Sequence, residues 1–504
     1  MRQVTSFLAP RGAQQCDTIM ASLQLVAKVL HAAAPAAAAI ALLALLAAGC
    51  ATYRAAPLEL RRSADEFAAR RLDSPALRAR VSRLLPQAGG SWPPRVWDRA
   101  ELLAVALAQN PDLKFAHAEA LAVRAREIRA AELPNPDLLL RSEYARDDMH
   151  PWLYGISSTW LIRNGERRRL DQRIARLNSQ NARLRLMDRI WGVRRALVAA
   201  LSDSESARRG LHILGRLRTT ENRLLSLQRR RVDAGEDPPG ELVSAQQMQS
   251  EIEQQQVRLR ATADSADAAV AKALGLPAQA LAGAGVYWPE WGNPPPLADR
   301  KLDADREQAL LSRADLGIAI GSYAIAEARL ERAVARQNPE LSLGPGYYWD
   351  HGIAKFPFDV SLTLPMNRNR GEIAAAQADR AAVGARMLAL QAGIYGQIAA
   401  ARRAERTARA GLLTAQRRLA AARRERRQTD LAVRVGEIGL QRRLAVDMRV
   451  ARTELDLLQV RAQLQGARNT LEDVLRMPLS GPELKMTTTM PAPPRPRAAD
   501  LAGS

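Results

Sequence analysis

The chain has 504 residues, of which 25% are charged and only 4% aromatic, and it carries a net charge of +21. Its abundant Ala, Leu and Arg are strong helix formers, so this composition favours long helices over compact α/β domains. The positive charge does not point to nucleic acid: the arginines sit between Ala and Leu as solvated helix faces, and no aromatic-basic RNA or DNA signature is present.

Residues 1–49 read as an export signal. An Ala/Leu run from Ala32 to Gly49 follows the basic Lys28 and ends in small residues before Cys50. The run is short and Ala-rich for a membrane span, and a simple span or an ordinary cleavage site is the alternative reading. Met20 is an alternative start that gives this signal an ordinary length. The other cysteine, Cys16, lies in the removed segment, so cysteines contribute no disulfide to the mature chain. Removal of 1–49 leaves a net charge of +19. Residues 50–96 form an N-terminal anchored segment.

From residue 97 onward the same pattern occurs twice. Asn110-Pro111-Asp112-Leu113 answers Arg313-Ala314-Asp315-Leu316, and Asn135-Pro136 answers Asn338-Pro339. Gly165-Glu166 answers Gly371-Glu372, Gly235-Glu236 answers Gly436-Glu437, and Leu276-Pro277 answers Met477-Pro478. The matches keep one order with nearly constant offset, which marks a duplicated unit of about two hundred residues. The two copies are assigned to 97–277 and 302–478, with 278–301 as linker and 479–504 as a disordered Pro-rich tail.

Within the first copy the spacing predicts a helix over 97–133, two strands, a long helix over 167–233 and a return helix over 239–274. The second copy predicts a helix over 302–337, two strands, a long helix beyond Gly371 and a coiled-coil return through Leu457, Leu464 and Leu471. The 67 residues of 167–233 span roughly 100 Å. The two shorter helices, 37 and 36 residues, would match that length if stacked end to end.

Strands are expected at about 138–146, 152–161, 340–349 and 356–364. In the last, Phe358, Val360, Leu362 and Leu364 alternate with Asp359, Ser361 and Thr363; in the second, Trp152, Tyr154, Ile156 and Trp160 oppose Gly155, Ser157 and Thr159. Nine of the 21 aromatics fall within 138–165 and 340–364. Apolar-polar alternation with aromatics near strand ends fits an outer-membrane barrel, although a small soluble sheet gives the same pattern. Four strands cannot close a barrel and open edges are not tolerated in lipid, so membrane strands require several chains. About eight strands enclose only side chains, whereas three chains would supply twelve and leave a pore.

On these residues the mature chain resembles the TolC family of outer-membrane efflux factors. The most specific stretch is Leu364-Pro365-Met366-Asn367-Arg368-Asn369-Arg370-Gly371-Glu372, which looks nearest to the cobalt-zinc-cadmium branch. The resemblance implies a mainly α fold with a small membrane β part: a homotrimer with a β-barrel in the outer membrane of a Gram-negative bacterium and an α-helical tunnel in the periplasm. Ala47-Ala48-Gly49-Cys50 resembles a lipobox, implying acylation of Cys50, and Ala51 in place of Asp favours the outer membrane. The tunnel's tips would dock a periplasmic adaptor coupled to an inner-membrane pump of RND type.

The tips are placed at 233–240 and 433–440, with Gly235, Gly436, Arg434, Val435, Ile438 and Leu440 as docking residues. The first tip is acidic, with Glu236, Asp237 and Glu241, and the second basic, with Arg434, Arg442 and Arg443, as pore-gate charges or as mere solvation of hairpin ends. His150 and His351 fall in strand turns, where polar solvated loops are the expected reading rather than a metal site. No Walker loop, dinucleotide fingerprint, zincin motif or nucleophile elbow is present, so no enzyme and no cofactor is expected. The function expected is a passive exit duct for metal ions, drugs or other small molecules. An anchored coiled-coil scaffold or adaptor without channel activity is the alternative.

Overall fold

A computed structural model describes residues 53–86, 91–147, 149–162, 165–297 and 313–487. The signal segment, Cys50, residues 302–312 of the expected second helix and the tail from 488 lie outside the described residues. The chain divides into two units at Ala64. Of the first, residues 53–64 are described, all exposed and ending in the first turn of helix α1 (Leu60–Ala68). Everything below belongs to the second unit.

Its first copy runs through α2 (Pro75–Leu84), β1 (Val96–Trp97), α3 (Arg99–Gln109) and α4 (Pro111–Ala131). Strands β2 (Asp137–Tyr144) and β3 (Trp152–Ile162) follow, then helices α5 (Gly165–Asp233) and α6 (Pro239–Leu274). After β4 (Gly285–Val286) the second copy comprises α7 (Ala314–Ala335), β5 (Glu340–Asp350), β6 (Ile353–Lys355) and β7 (Phe358–Thr363). It closes with α8 (Arg370–Arg434), α9 (Leu440–Leu475) and the short α10 (Leu484–Thr487).

The expected helix over 97–133 is two helices. Asp98 and Glu101 form a capping box that starts α3, with Glu101 N donating to Asp98 Oδ1 at 2.7 Å and Asp98 N to Glu101 Oε2 at 2.9 Å. The chain breaks at Asn110-Pro111 because Pro111 has no N–H to continue α3 and is suited to open a helix. Asn110 Oδ1 accepts from Leu113 N at 3.1 Å and caps α4. Its Nδ2 donates to Ala273 O at 2.8 Å, so α4 abuts the end of α6. Gly275 (φ +70°) closes α6 there, and a Cβ on it would stand 2.8 Å from Gln109 O. The end-to-end stack is therefore α4 on α6, with α3 folded out of line.

Helix α5, at 69 residues, packs against α4 and α7 in its first half and against α6 and α9 in its second. Helix α8, at 65 residues, packs against α7 and then α9. The result is a four-helix layer in each half, roughly 100 Å along α5. The seams are apolar: Leu412, Leu419, Leu457 and Leu464 are buried between α8 and α9.

Residues 278–297, expected as a linker, are packed structure. β4 pairs parallel with β1, and Trp288 and Trp291 are buried in the main core with Trp97, Leu197 and Leu201. Residues 479–487 are likewise ordered onto the helices: Arg194 Nε donates to Glu483 Oε2 at 2.8 Å, its Nη2 to Glu472 Oε2 at 2.6 Å, and Met486 joins the core. Tryptophans and a charged pair in these segments bury enough surface to hold them down.

Candidate functional site

Two regions at opposite ends of the helices carry the candidate residues. The first is the sheet, in the order β2-β3-β5, with β7 beside the first half of β5 and β6 beside its end. All pairings are antiparallel. The fourth strand, expected unbroken over 356–364, is split at Phe356-Pro357. Pro357 cannot donate to the ladder, and only its carbonyl is used, by Gly346 N at 2.9 Å.

The register puts Leu140 opposite Ile156, Ile156 opposite Tyr347, and Leu343 opposite Val360, so these side chains share one face. That face is apolar and uncovered: Leu140 is 72% exposed, Trp160 51% and Val360 60%. Tyr144 and Trp152 stack edge to face at one strand end, and Tyr154 lies parallel to Trp349. The opposite face carries Arg141, Glu143, Ser157, Tyr348 and Asp359. Arg141 Nη2 bonds Glu143 Oε2 at 3.0 Å and Tyr348 Oη bonds Ser157 Oγ at 3.2 Å. A band of exposed large apolar residues, with aromatics at its ends and a hydrogen-bonded polar reverse, is the division a lipid-facing barrel wall requires. Among the described residues no helix is long and apolar enough to cross a membrane.

In the turns of the sheet, His351 Nδ1 lies 2.8 Å from His150 O and its Nε2 is 3.6 Å from Asp350 Oδ1. Three His, Cys, Asp or Glu side chains arranged for a metal are not found among the described residues.

The second region is the paired hairpin tips. Both helices end in the same motif. At the first, Glu236 N donates to Arg231 O at 2.8 Å and Gly235 N to Val232 O at 3.0 Å; at the second, Glu437 N donates to Ala432 O at 2.9 Å and Gly436 N to Val433 O at 3.2 Å. This double bond needs a left-handed residue, supplied by Gly235 (φ +74°) and Gly436 (φ +80°). Around Gly436, Arg434, Val435 and Leu440 are exposed while Ile438 is half-buried.

The tip charges divide into two groups. Asp237 accepts from Arg231 Nε at 2.8 Å and Nη2 at 3.0 Å, and Glu236 lies 3.6 Å from Arg231. The hydrogen bonds from Arg231 hold the Asp237 carboxyl below the usual aspartate range. Arg443 pairs with Asp430 at 2.7 Å. Glu241 and Arg442 stay exposed.

Sequence reading passed over a third feature, a cleft between α5, α8 and α9 lined by Arg216, Arg423, Glu454 and Arg461. These residues are far apart in the chain, and nothing in their local spacing signals that they meet.

Residues 102–276 match the family described as outer membrane efflux protein. A sequence comparison with curated proteins finds no match. Among solved structures, the outer-membrane channel OprN is similar over 84% of this chain and 98% of its own, at 18% identity and a TM-score of 0.63. The CmeC outer membrane channel of Campylobacter jejuni is similar over 78% and 88%, at 14% identity and a TM-score of 0.63. CusC, described in connection with transmembrane channel formation, covers 78% and 95% at 15% identity, with a TM-score of 0.61. Residues 102–276 thus match the outer membrane efflux protein family, and most of the chain shares its fold with solved outer-membrane channels.

Proposed function

We propose that the chain is the outer-membrane channel subunit of a tripartite efflux system. It acts as a homotrimeric passive exit duct for metal ions, drugs or other small molecules. Transport is driven by an inner-membrane transporter, of RND type, through a periplasmic adaptor, and the duct itself performs no catalysis.

One observation carries this reading. Among the described residues β2 pairs only with β3 and β7 only with β5, so the apolar-faced sheet ends in two unpaired edges. Unpaired backbone N–H and C=O groups cannot face lipid, so β2 of one copy must meet the β6–β7 edge of the next. Four strand positions per chain close with a pore when three chains combine. The tips Gly235 and Gly436 lie a full long helix away, which favours them as the adaptor-docking end, and Glu236, Asp237, Glu241, Arg442 and Arg443 as charges at its mouth. Acylation of Cys50 rests on the sequence preceding it, and mass spectrometry of the mature N-terminus tests it.

The trimer is tested by native mass measurement and imaging in detergent. Three-fold particles are expected, longer than the roughly 100 Å of α5 by a barrel's height. A stable monomer that inserts into membranes overturns the proposal.

A further inference from the structure

The loop carrying Trp291 lies across one face of α5 and α9. Trp291 Nε1 donates to Ser202 Oγ at 3.1 Å, the Arg209 guanidinium sits 4.7 Å from its ring centroid, and Gly292 N donates to Gln465 Oε1 at 3.2 Å. Directly tipward on the same face, α5, α8 and α9 enclose a cleft of about 610 Å³. Its lining holds five arginines (208, 209, 216, 423 and 461) and a single carboxylate, Glu454. An adjoining cleft of about 370 Å³ shares Arg423 and Arg461 and adds Arg424 and Arg427.

The charges of the first cleft do not balance. Glu454 Oε1 accepts from Arg423 Nη2 at 2.9 Å, and its Oε2 accepts from Arg216 Nη2. Burial opposes ionisation of Glu454, but these two arginines prevail and hold its carboxyl below the usual range. Arg208 Nη2 donates to both oxygens of Asp267, at 3.0 and 2.9 Å, and Arg209 Nε donates to Glu205 Oε1 at 2.7 Å. Arg461 has no carboxylate among the described residues, and its Nε is buried without a hydrogen-bond partner. Its stem is fixed against the loop, since a Cβ on Gly292 would come 2.7 Å from Arg461 Cβ. Burial, then Arg209 and Arg423, pushes its guanidinium below the usual arginine range. A half-buried cation facing other cations and lacking an anion is a costly arrangement unless something supplies one.

We propose that this cleft is a binding site for an oxyanionic ligand carrying two or more negative charges on carboxylate or phosphate groups, held by Arg461 together with Arg423 and Arg209. Guanidinium forks match the paired oxygens of both groups. The buried Leu457 and Leu458 in the lining keep the local dielectric low and strengthen each contact. Glu454, bound by two arginines at once, occupies ground that a ligand's oxygens would otherwise take. Arg216 is 19 residues from Gly235, about 28 Å along the helix, so the site is separate from the tips.

The test is calorimetric titration of the purified full chain, in detergent and at low ionic strength, with citrate and with inorganic phosphate. Binding of either anion is expected, and which one binds distinguishes a carboxylate ligand from a phosphoryl one. Arg461→Gln should weaken it about tenfold or more, the value of one charge-assisted hydrogen bond. Glu454→Gln should tighten it several-fold, a gain that misfolding cannot mimic. Arg229→Gln, the same charge change at an exposed position near the tip, should leave it unaltered. Absence of binding by both anions overturns the proposal. So does equal weakening by Arg461→Gln and Arg229→Gln, which would mean diffuse attraction to a basic surface.

Discussion

Asn110 Nδ2 lies 2.8 Å from Ala273 O, and at the matching place in the second copy Arg313 Nη1 donates to Val474 O. The donors are 203 residues apart and the acceptors 201, so both copies lock a short helix onto the end of its return helix at the same point. An amide does this in one copy and a guanidinium in the other. The guanidinium brings a charge, and Asp315 pairs with it.

Asn110→Ala should lower the unfolding free energy by about 1–2 kcal/mol, because it removes the α4 cap and one buried interhelical hydrogen bond together. Thermal unfolding in detergent measures this. Asn110→Asp, which keeps the cap acceptor but places a carboxylate against Ala273 O, should recover little of the loss.

Asp315 makes the corresponding joint pH-dependent. Burial pushes its carboxyl up, but the hydrogen bonds and charge of Arg313, with Arg476 behind, outweigh burial and hold it below the usual aspartate range. A depressed folded value means that the pair stabilises fully above the unfolded value, near 4, and is lost as pH falls through the folded value. At neutral pH Asp315→Asn should cost about 2–3 kcal/mol, since it strands the buried Arg313. Below about pH 4 the difference between variant and parent should shrink. Unfolding curves at pH 7 and pH 3 check the sign.

Glu221 should behave in the opposite sense. It is 1% exposed, and neither of its carboxylate oxygens has a hydrogen-bond partner. Burial raises its carboxyl above the usual glutamate range, against the opposing charge of Arg452. A raised folded value means that the ionised group weighs against folding at neutral pH and that this cost falls as the pH drops. Glu221→Gln should therefore stabilise the chain by about 1 kcal/mol at pH 7, with a smaller gain near pH 4. A drop in melting temperature at pH 7 would show that Glu221 has a partner in the assembled protein.

The repeat made much of this architecture readable. Offsets near 200 locate both tips, both long helices and four strand positions, because glycines, prolines and alternating apolar residues are local signals. The break at Asn110 was less legible: Asn-Pro both ends one helix and opens another, and only the contact with Ala273 and Gly275 reveals the elbow. The left-handed Arg476 (φ +55°), counterpart of Gly275, carries no sequence mark at all. Its side chain pairs locally with Asp473 at 3.0 Å and, across the fold, with Asp188 at 3.1 Å, and only the tertiary structure reveals the second contact. Trp288, Trp291 and the Arg461 cleft were likewise illegible, since each depends on segments more than eighty residues apart.

The tip offers the most direct test of the proposed docking. Gly436 holds φ +80°, and no atom outside its immediate neighbours lies within 4 Å of the place where a Cβ would stand. The penalty for substitution is therefore conformational rather than steric crowding. Gly436→Val puts a β-branched residue into the left-handed region at about 1–3 kcal/mol, opening the turn that presents Val435 and Leu440. Arg434→Glu reverses an exposed charge beside Val435, itself 72% exposed, without touching the turn. The strands lie roughly 100 Å away along α8, so both variants should insert and assemble as the parent does. Apolar contact with a polar rim is what an adaptor hairpin would use. Site-directed cross-linking to the adaptor should fall in both variants, and efflux-dependent resistance with it. Unchanged cross-linking and resistance in both would place the docking surface away from this tip.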